Sequence, residues 1–155
     1  LPQNTFEYAV SIAASMANTY IKLGRAVGLA SSGQTVTILP AERGERQLGK
    51  VLEMLAHINV EDTLPLLGLV ESQAKHLTRG STVVMITPSV DKTVEAAVEE
   101  LLHRDLQPVL IFLDRASFFG YGDLEGLLLR LKARRIPVAV VQRGVDLKQA
   151  LEQGF

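Results

Sequence analysis

Hydroxyls, carboxylates and aromatics gather in three loops that each follow an apolar run directly. They are Thr87-Pro88-Ser89-Val90-Asp91, Asp114-Arg115-Ala116-Ser117-Phe118-Phe119-Gly120-Tyr121-Gly122-Asp123 and Gln142-Arg143-Gly144-Val145-Asp146. A fourth loop, Val60-Glu61-Asp62-Thr63-Leu64, leads into a helix-forming stretch and is expected at the same edge of the fold. Side-chain oxygens in such loops are what a hard cation such as Mg²⁺ takes as ligands, and they also orient a docked protein. Phe118, Phe119 and Tyr121 are three of the eight aromatics in the chain. A loop holds so many only if they fold back on the core or meet a partner.

Several other chemistries lack their residues. Neither G-x-G-x-x-G after a strand nor G-x-x-x-x-G-K-[ST] is present, and Gly120-Tyr121-Gly122 is a weak echo of a phosphate loop. G-x-S-x-G is missing, so a hydrolase serine has no strained turn to occupy. His57, His76 and His103 each fall late in an expected helix, where an imidazole caps carbonyls, and no two are four residues apart as a zinc helix requires. Glu95, Glu99 and Glu100 read as surface charge, and the basic run Arg130, Lys132, Arg134 and Arg135 as cations at a helix end. That run has no interleaved aromatics with which to stack nucleic-acid bases.

Bulk composition narrows the classes further. The 155 residues are the length of one domain, and 47% hydrophobic residues suffice for a buried core. Sixteen Lys and Arg against 17 Asp and Glu give a net charge of -1, so no global field attracts nucleic acid or an anionic membrane. The absence of cysteine excludes disulfides, thiolate metal sites and thiol nucleophiles, and leaves the compartment open. No apolar run approaches the length of a membrane span, and the start has no signal-peptide pattern. The chain begins Leu1-Pro2 rather than with Met, as expected of a processed product or a piece of a longer protein.

The elements that must position these loops follow from hydrophobic period. A helix is expected over Phe6–Leu23, with Asn4 as N-cap, Glu7 three residues on and Gly24 as its stop; its small-residue centre suggests near-complete burial. Strands over Val27–Ala30 and Thr35–Leu39 are too close for a crossover and must pair antiparallel. Helices over Arg46–Ile58 and Pro65–Leu77 come next. The remainder alternates: strand Thr82–Ile86, helix Val94–Arg104, strand Val109–Leu113, helix Leu124–Arg134, strand Val138–Val141 and helix Leu147–Gln153. These three strands are uninterrupted apolar runs, as in a parallel sheet covered on both faces. The expected fold class is therefore α/β: a single domain over 1–155, a doubly wound and mostly parallel sheet with one antiparallel edge strand. Because the chain opens on a crossover-type helix, a central first strand is expected upstream, between the hairpin and the strand at Val83.

The run Phe6-Glu7-Tyr8-Ala9-Val10-Ser11-Ile12-Ala13-Ala14-Ser15-Met16-Ala17, followed by Val27-Gly28-Leu29, resembles the E-x-x-V-x-x-A-A-S-x-A helix and V-G-L strand of the bacterial family called domain of unknown function 58. Leu113-Asp114-Arg115-Ala116-Ser117-Phe118 is similar to a later strand end of that family. The resemblance implies a von Willebrand factor A-like fold and, in many such folds, a metal-ion-dependent adhesion site. In that site a D-x-S-x-S turn, a Thr from a second loop and an Asp from a third hold Mg²⁺. Here the D-x-S-x-S turn would precede Leu1, and Thr63 stands where the second-loop Thr is expected. Thr87-Pro88-Ser89 replaces the usual T-D-G, so Pro88 takes the carboxylate's place and Asp91 comes three positions late. Neutral hydroxyls and water alone hold a hard cation poorly. The expected site is therefore a degenerate one (Thr63, Thr87, Ser89, Asp91) without metal or other cofactor, Mg²⁺ entering only if an upstream turn supplies carboxylates.

These readings combine into a non-enzymatic module that binds protein partners through Thr63, Asp114, Phe118, Phe119 and Tyr121, with no contact to nucleic acid or membrane. The resemblance implies a bacterial parent anchored in a membrane, this domain on the cytoplasmic side, and a MoxR-type AAA+ ATPase as partner. An alternative is a small phosphate-binding or hydrolytic enzyme whose acids lie on the upstream strand, with Asp114 as the in-chain member. A further expectation is a homodimer in which a strand from a second copy fills the open position.

Overall fold

Apolar runs of period two and helices of period 3.6 alternate in the second half of the chain, and the computed structural model resolves them as an α/β arrangement. The structure describes residues 5–31, 36–58, 66–87, 92–113 and 124–142. By packing, the chain divides into two compact units, one of Leu1–Ala9 with Leu66–Phe155 and one of Val10–Pro65.

In the first unit, β3 (Thr82–Thr87), β4 (Gln107–Leu113) and β5 (Val138–Val141) form a parallel sheet in that order, with α4 (Lys92–His103) and α5 (Leu124–Ala133) as the crossovers. The register sets Met85, Leu110 and Val138 side by side, then Thr87, Phe112 and Val140, all on one face. That face packs on Val94, Ala97, Val98 and Leu101 of α4, on Leu127 and Leu131 of α5, and on Val70 of α3 (Leu66–Gln73), which continues as a 3₁₀ turn over Ala74–His76. Ile111, Leu113, Ala139 and Val141 on the opposite face are also buried. Both faces of the central strand are thus covered, which is why its sequence is apolar without alternation.

Two crossovers reach their next strand through the same device. After α4, Leu106 N donates to Leu101 O and Asp105 N to Leu102 O; after α5, Ile136 N donates to Leu131 O and Arg135 N to Lys132 O. These are Schellman ends, and each buries the apolar residue that follows, Leu106 or Ile136. The turning residues Asp105 and Arg135 have φ of 58° and 60°, a left-handed conformation that costs an L-residue about 1–2 kcal/mol. Arg135→Gly is therefore expected to stabilise the protein by about 1 kcal/mol, after the added freedom of glycine in the unfolded chain is set against the relief. Chemical denaturation measures this, and a loss of stability would show that the Arg135 side chain contributes more than its backbone costs.

The second unit contains the rest of α1 (Thr5–Lys22), a hairpin of β1 (Val27–Ser31) and β2 (Thr37–Glu42), and α2 (Glu45–Ala56). Ala17, Val51 and Leu55 form its buried centre, with Val27, Leu29 and Leu39 of the hairpin packed against them. Gly24, with φ of 81°, ends α1 in a third Schellman motif: Arg25 N donates to Tyr20 O and Gly24 N to Ile21 O. Among the described residues no helix is long and apolar enough to cross a membrane.

Four expectations change. A single sheet with an antiparallel edge strand is not formed by the described residues, because β1 and β2 bond to each other in a sheet separate from β3, β4 and β5. β2 does not stop before Pro40 but runs through it to Glu42. Proline tolerates this position because the ladder is already interrupted: the register shifts between Val27 and Leu29. Gly28 sits in that bulge, where an added Cβ would lie 2.8 Å from Leu39 O and 2.9 Å from Ala41 N. The helix expected through Leu77 leaves α-geometry at Ala74 and becomes extended at Leu77. Finally, α1 is half-buried rather than nearly buried: Tyr8, Ile12, Ala17 and Ile21 are inside while Ser15, Thr19 and Tyr20 face solvent. Small residues let a helix approach its neighbours closely but do not by themselves cover its outer face. The expected Asn4 cap and the helix over Leu147–Gln153 lie outside the described residues.

Candidate functional site

Three parallel strands in register must end at one edge, and here they end at Thr87, Leu113 and Val141. Thr87 lies opposite Phe112, and Leu113 opposite Val141. This is the edge at which open α/β sheets place their ligand sites. The chain leaves it to re-enter at the starts of α4 and α5, whose first turns carry Glu95 and Glu125. Unbonded N–H groups at a helix start make it mildly positive, and a carboxylate there offsets that field.

Thr87 is the one expected site residue that falls within the described residues. Its side chain is 4% exposed, and it shares the packed face of the sheet with Met85 and Phe112. A hydroxyl so enclosed can brace the strand end from within but offers a docking partner little surface. Thr63, Ser89, Asp91, Asp114, Phe118, Phe119 and Tyr121 lie outside the described residues. Among the described residues no three His, Asp or Glu side chains come together as a metal ion would require.

Of the histidines, His57 is the C-cap of α2, and its Nδ1 lies 2.8 Å from Glu53 O, a carbonyl at the end of that helix. His76 and His103 are exposed at the ends of their helices. The charged residues read separately as surface carboxylates and a basic run meet in pairs. Arg130 Nε donates to Glu95 Oε1 at 2.9 Å, and Arg134 pairs with Glu99 one turn further on. The signal for this ladder was present in the matching i, i+4 spacings, but only the packing of α4 beside α5 aligns them. Exposed pairs of this kind contribute up to about 1 kcal/mol each.

Gln47 has no counterpart in the motif reading. It is 1% exposed on α2, and its Nε2 donates to Val27 O at 2.7 Å and to Pro40 O at 2.9 Å. It therefore ties both strands of the hairpin to the helix at the bulge. Its Oε1 is buried and has no hydrogen-bond partner among the described residues. The only sequence hint is a polar residue on the stripe Gln47, Val51, Leu55, four residues apart, where apolar ones are expected.

Against known proteins, no family model matches the chain and no curated protein sequence matches it.

Proposed function

We propose that this chain is a non-enzymatic protein–protein interaction module that docks partners, without metal, at the edge where β3, β4 and β5 end. The observation that carries this reading is the shared edge itself. Three adjacent strands deliver the chain there at Thr87, Leu113 and Val141, immediately before the sequences that hold Asp91, Asp114 and the aromatics Phe118, Phe119 and Tyr121. Aromatics at a rim supply buried area, and flanking oxygens supply orientation. Thr87, being buried, supports that edge rather than touching the partner.

In this reading the complete fold is von Willebrand factor A-like. β3 bonds to β4 alone and β1 to β2 alone among the described residues. A single doubly wound sheet would need one further strand with ladders to both, contributed from upstream or by a second copy. The parent is a bacterial protein with a membrane anchor, this module on its cytoplasmic side, and the partner is a MoxR-type AAA+ ATPase; these follow from the motif resemblance.

The test is a binding titration of a MoxR-type ATPase against the wild-type chain and against Phe118→Ala/Phe119→Ala, each with and without millimolar Mg²⁺. Loss of two interface aromatics is expected to weaken binding by roughly 30-fold or more, since each such anchor contributes about 1–2 kcal/mol or above. Mg²⁺ is expected to leave the affinity unchanged. Equal binding by the double variant would remove the rim from the interface. Tightening by Mg²⁺ would replace the metal-free reading with an adhesion-type site.

A further inference from the structure

The turns that precede β3, β4 and β5 gather at the opposite edge of the parallel sheet. Gly80 N donates to Asp105 O at 2.8 Å, Gln107 N to Ser81 O at 2.9 Å and Leu110 N to Pro137 O at 3.0 Å. Each turn follows a helix end, where basic residues offset the negative pole of the helix. The charge here exceeds that need. Residues 74–82, 99–107 and 131–137 hold six Lys and Arg against three carboxylates, in a chain whose net charge is -1. Helix poles contribute only about half a charge each.

The first two turns enclose a shallow depression of ≈ 380 Å³ whose lining includes Lys75, Leu77, Arg79, His103, Arg104 and Asp105. Arg79 is paired with Asp105, but their side chains are 80% and 59% exposed. An ion pair so open to water is weak, so Arg79 can exchange Asp105 for an incoming carboxylate at little cost. Arg104 holds Glu100 at 2.7 Å, and its side chain is 42% exposed. Leu77 adds an apolar patch, 42% exposed.

We propose that this depression is a second docking surface, separate from the strand-end rim, and that it takes an acidic polypeptide segment. Carboxylates of the segment pair with Lys75, Arg79 and Arg104, and an apolar side chain lies on Leu77. The planar fork of arginine is suited to carboxylates in this setting. The lining offers no Phe, Tyr or Trp on which a nucleic-acid base could stack, and its concave shape suits a side chain better than a flat bilayer.

The test is fluorescence anisotropy with a labelled Glu-rich peptide carrying leucines, against the wild-type chain, Arg79→Gln, Arg104→Gln and the control Arg46→Gln on the exposed side of α2. Neutral glutamine avoids a new repulsion with Asp105 or Glu100, and circular dichroism checks the fold of each variant. The expected result is binding that weakens with salt, a roughly tenfold loss in Arg79→Gln and Arg104→Gln, and no change in Arg46→Gln. Equal losses in all three variants would reduce the effect to net charge and overturn the proposal. So would tighter binding of single-stranded DNA or anionic vesicles, or no peptide binding at low salt.

Discussion

Gln47→Leu is expected to destabilise the protein by about 2 kcal/mol, a fall in Tm of roughly 4–8 °C for a chain of this length. Leucine matches the volume but removes both donors, leaving the carbonyls of Val27 and Pro40 without the amide that now reaches them. Val27 is half-buried and Pro40 exposed, so water can replace the amide at Pro40 and the carbonyl of Val27 carries most of the loss, about 1–3 kcal/mol for an unsatisfied group. Leucine does relieve the unpartnered Oε1, which keeps the estimate from the top of that range. Hydrogen exchange should show the β1 and β2 amides losing protection first. A loss below about 1 kcal/mol, with hairpin protection intact, would mean that packing alone holds the hairpin.

Gln47→Glu sharpens the same test through pH. Burial raises the pKa of the introduced carboxyl above its unfolded value of about 4.3. Below that value the side chain is protonated in both states, so its full contribution to stability is retained. As pH rises, the unfolded chain releases its proton first, the native state then binds more protons, and stability falls until the folded pKa is passed. The difference in stability between variant and wild type, followed from about pH 3.5 to pH 7, is expected to grow steadily more unfavourable. A flat difference would mean that the carboxylate escapes to water.

Phe112→Ala is expected to cost about 4 kcal/mol. Among the described residues Phe112 is the largest fully buried side chain, 0% exposed on the central strand, between Thr87 of β3 and Val140 of β5. Truncation leaves a cavity between the sheet and its helices that the interdigitated side chains cannot close. Phe112→Leu, which retains most of the volume, should lose far less, about 1 kcal/mol. Both are measured by denaturant unfolding with a check that the m-value is unchanged. A cost for alanine no greater than that for leucine would show a site that collapses freely. Because Phe112 packs beside the last residue of β3, the cavity should also loosen the strand end that supports the proposed rim.

Hydrophobic period was enough to locate most elements. The run Val138–Val141 has the bounds expected of it, and the two longer parallel strands gain only one or two residues at their ends. Continuous apolar runs can be satisfied only by burial on both faces, so the parallel sheet was legible before any contact was known. The Schellman ends at Asp105 and Arg135 were not legible, because neither residue type announces a left-handed turn. They are forced by Leu106 and Ile136, which must turn inward after the helix ends.

The same division separates the two surfaces. Residue types in the strand-end loops nominate a rim directly, since parallel strands carry their following loops to one edge whatever the packing. The cationic edge is different. Its residues come from three segments spread over residues 74–137, each of which alone reads as ordinary helix-end charge. Local pattern thus sets the strands, the helices and the α/β class, because these depend on neighbours a few residues apart. The Gln47 tie, the Glu95–Arg130 and Glu99–Arg134 ladder and the basic depression depend on partners brought together from distant parts of the chain. Charge and hydrogen bonding act through space, so only the folded chain decides which of these groups meet.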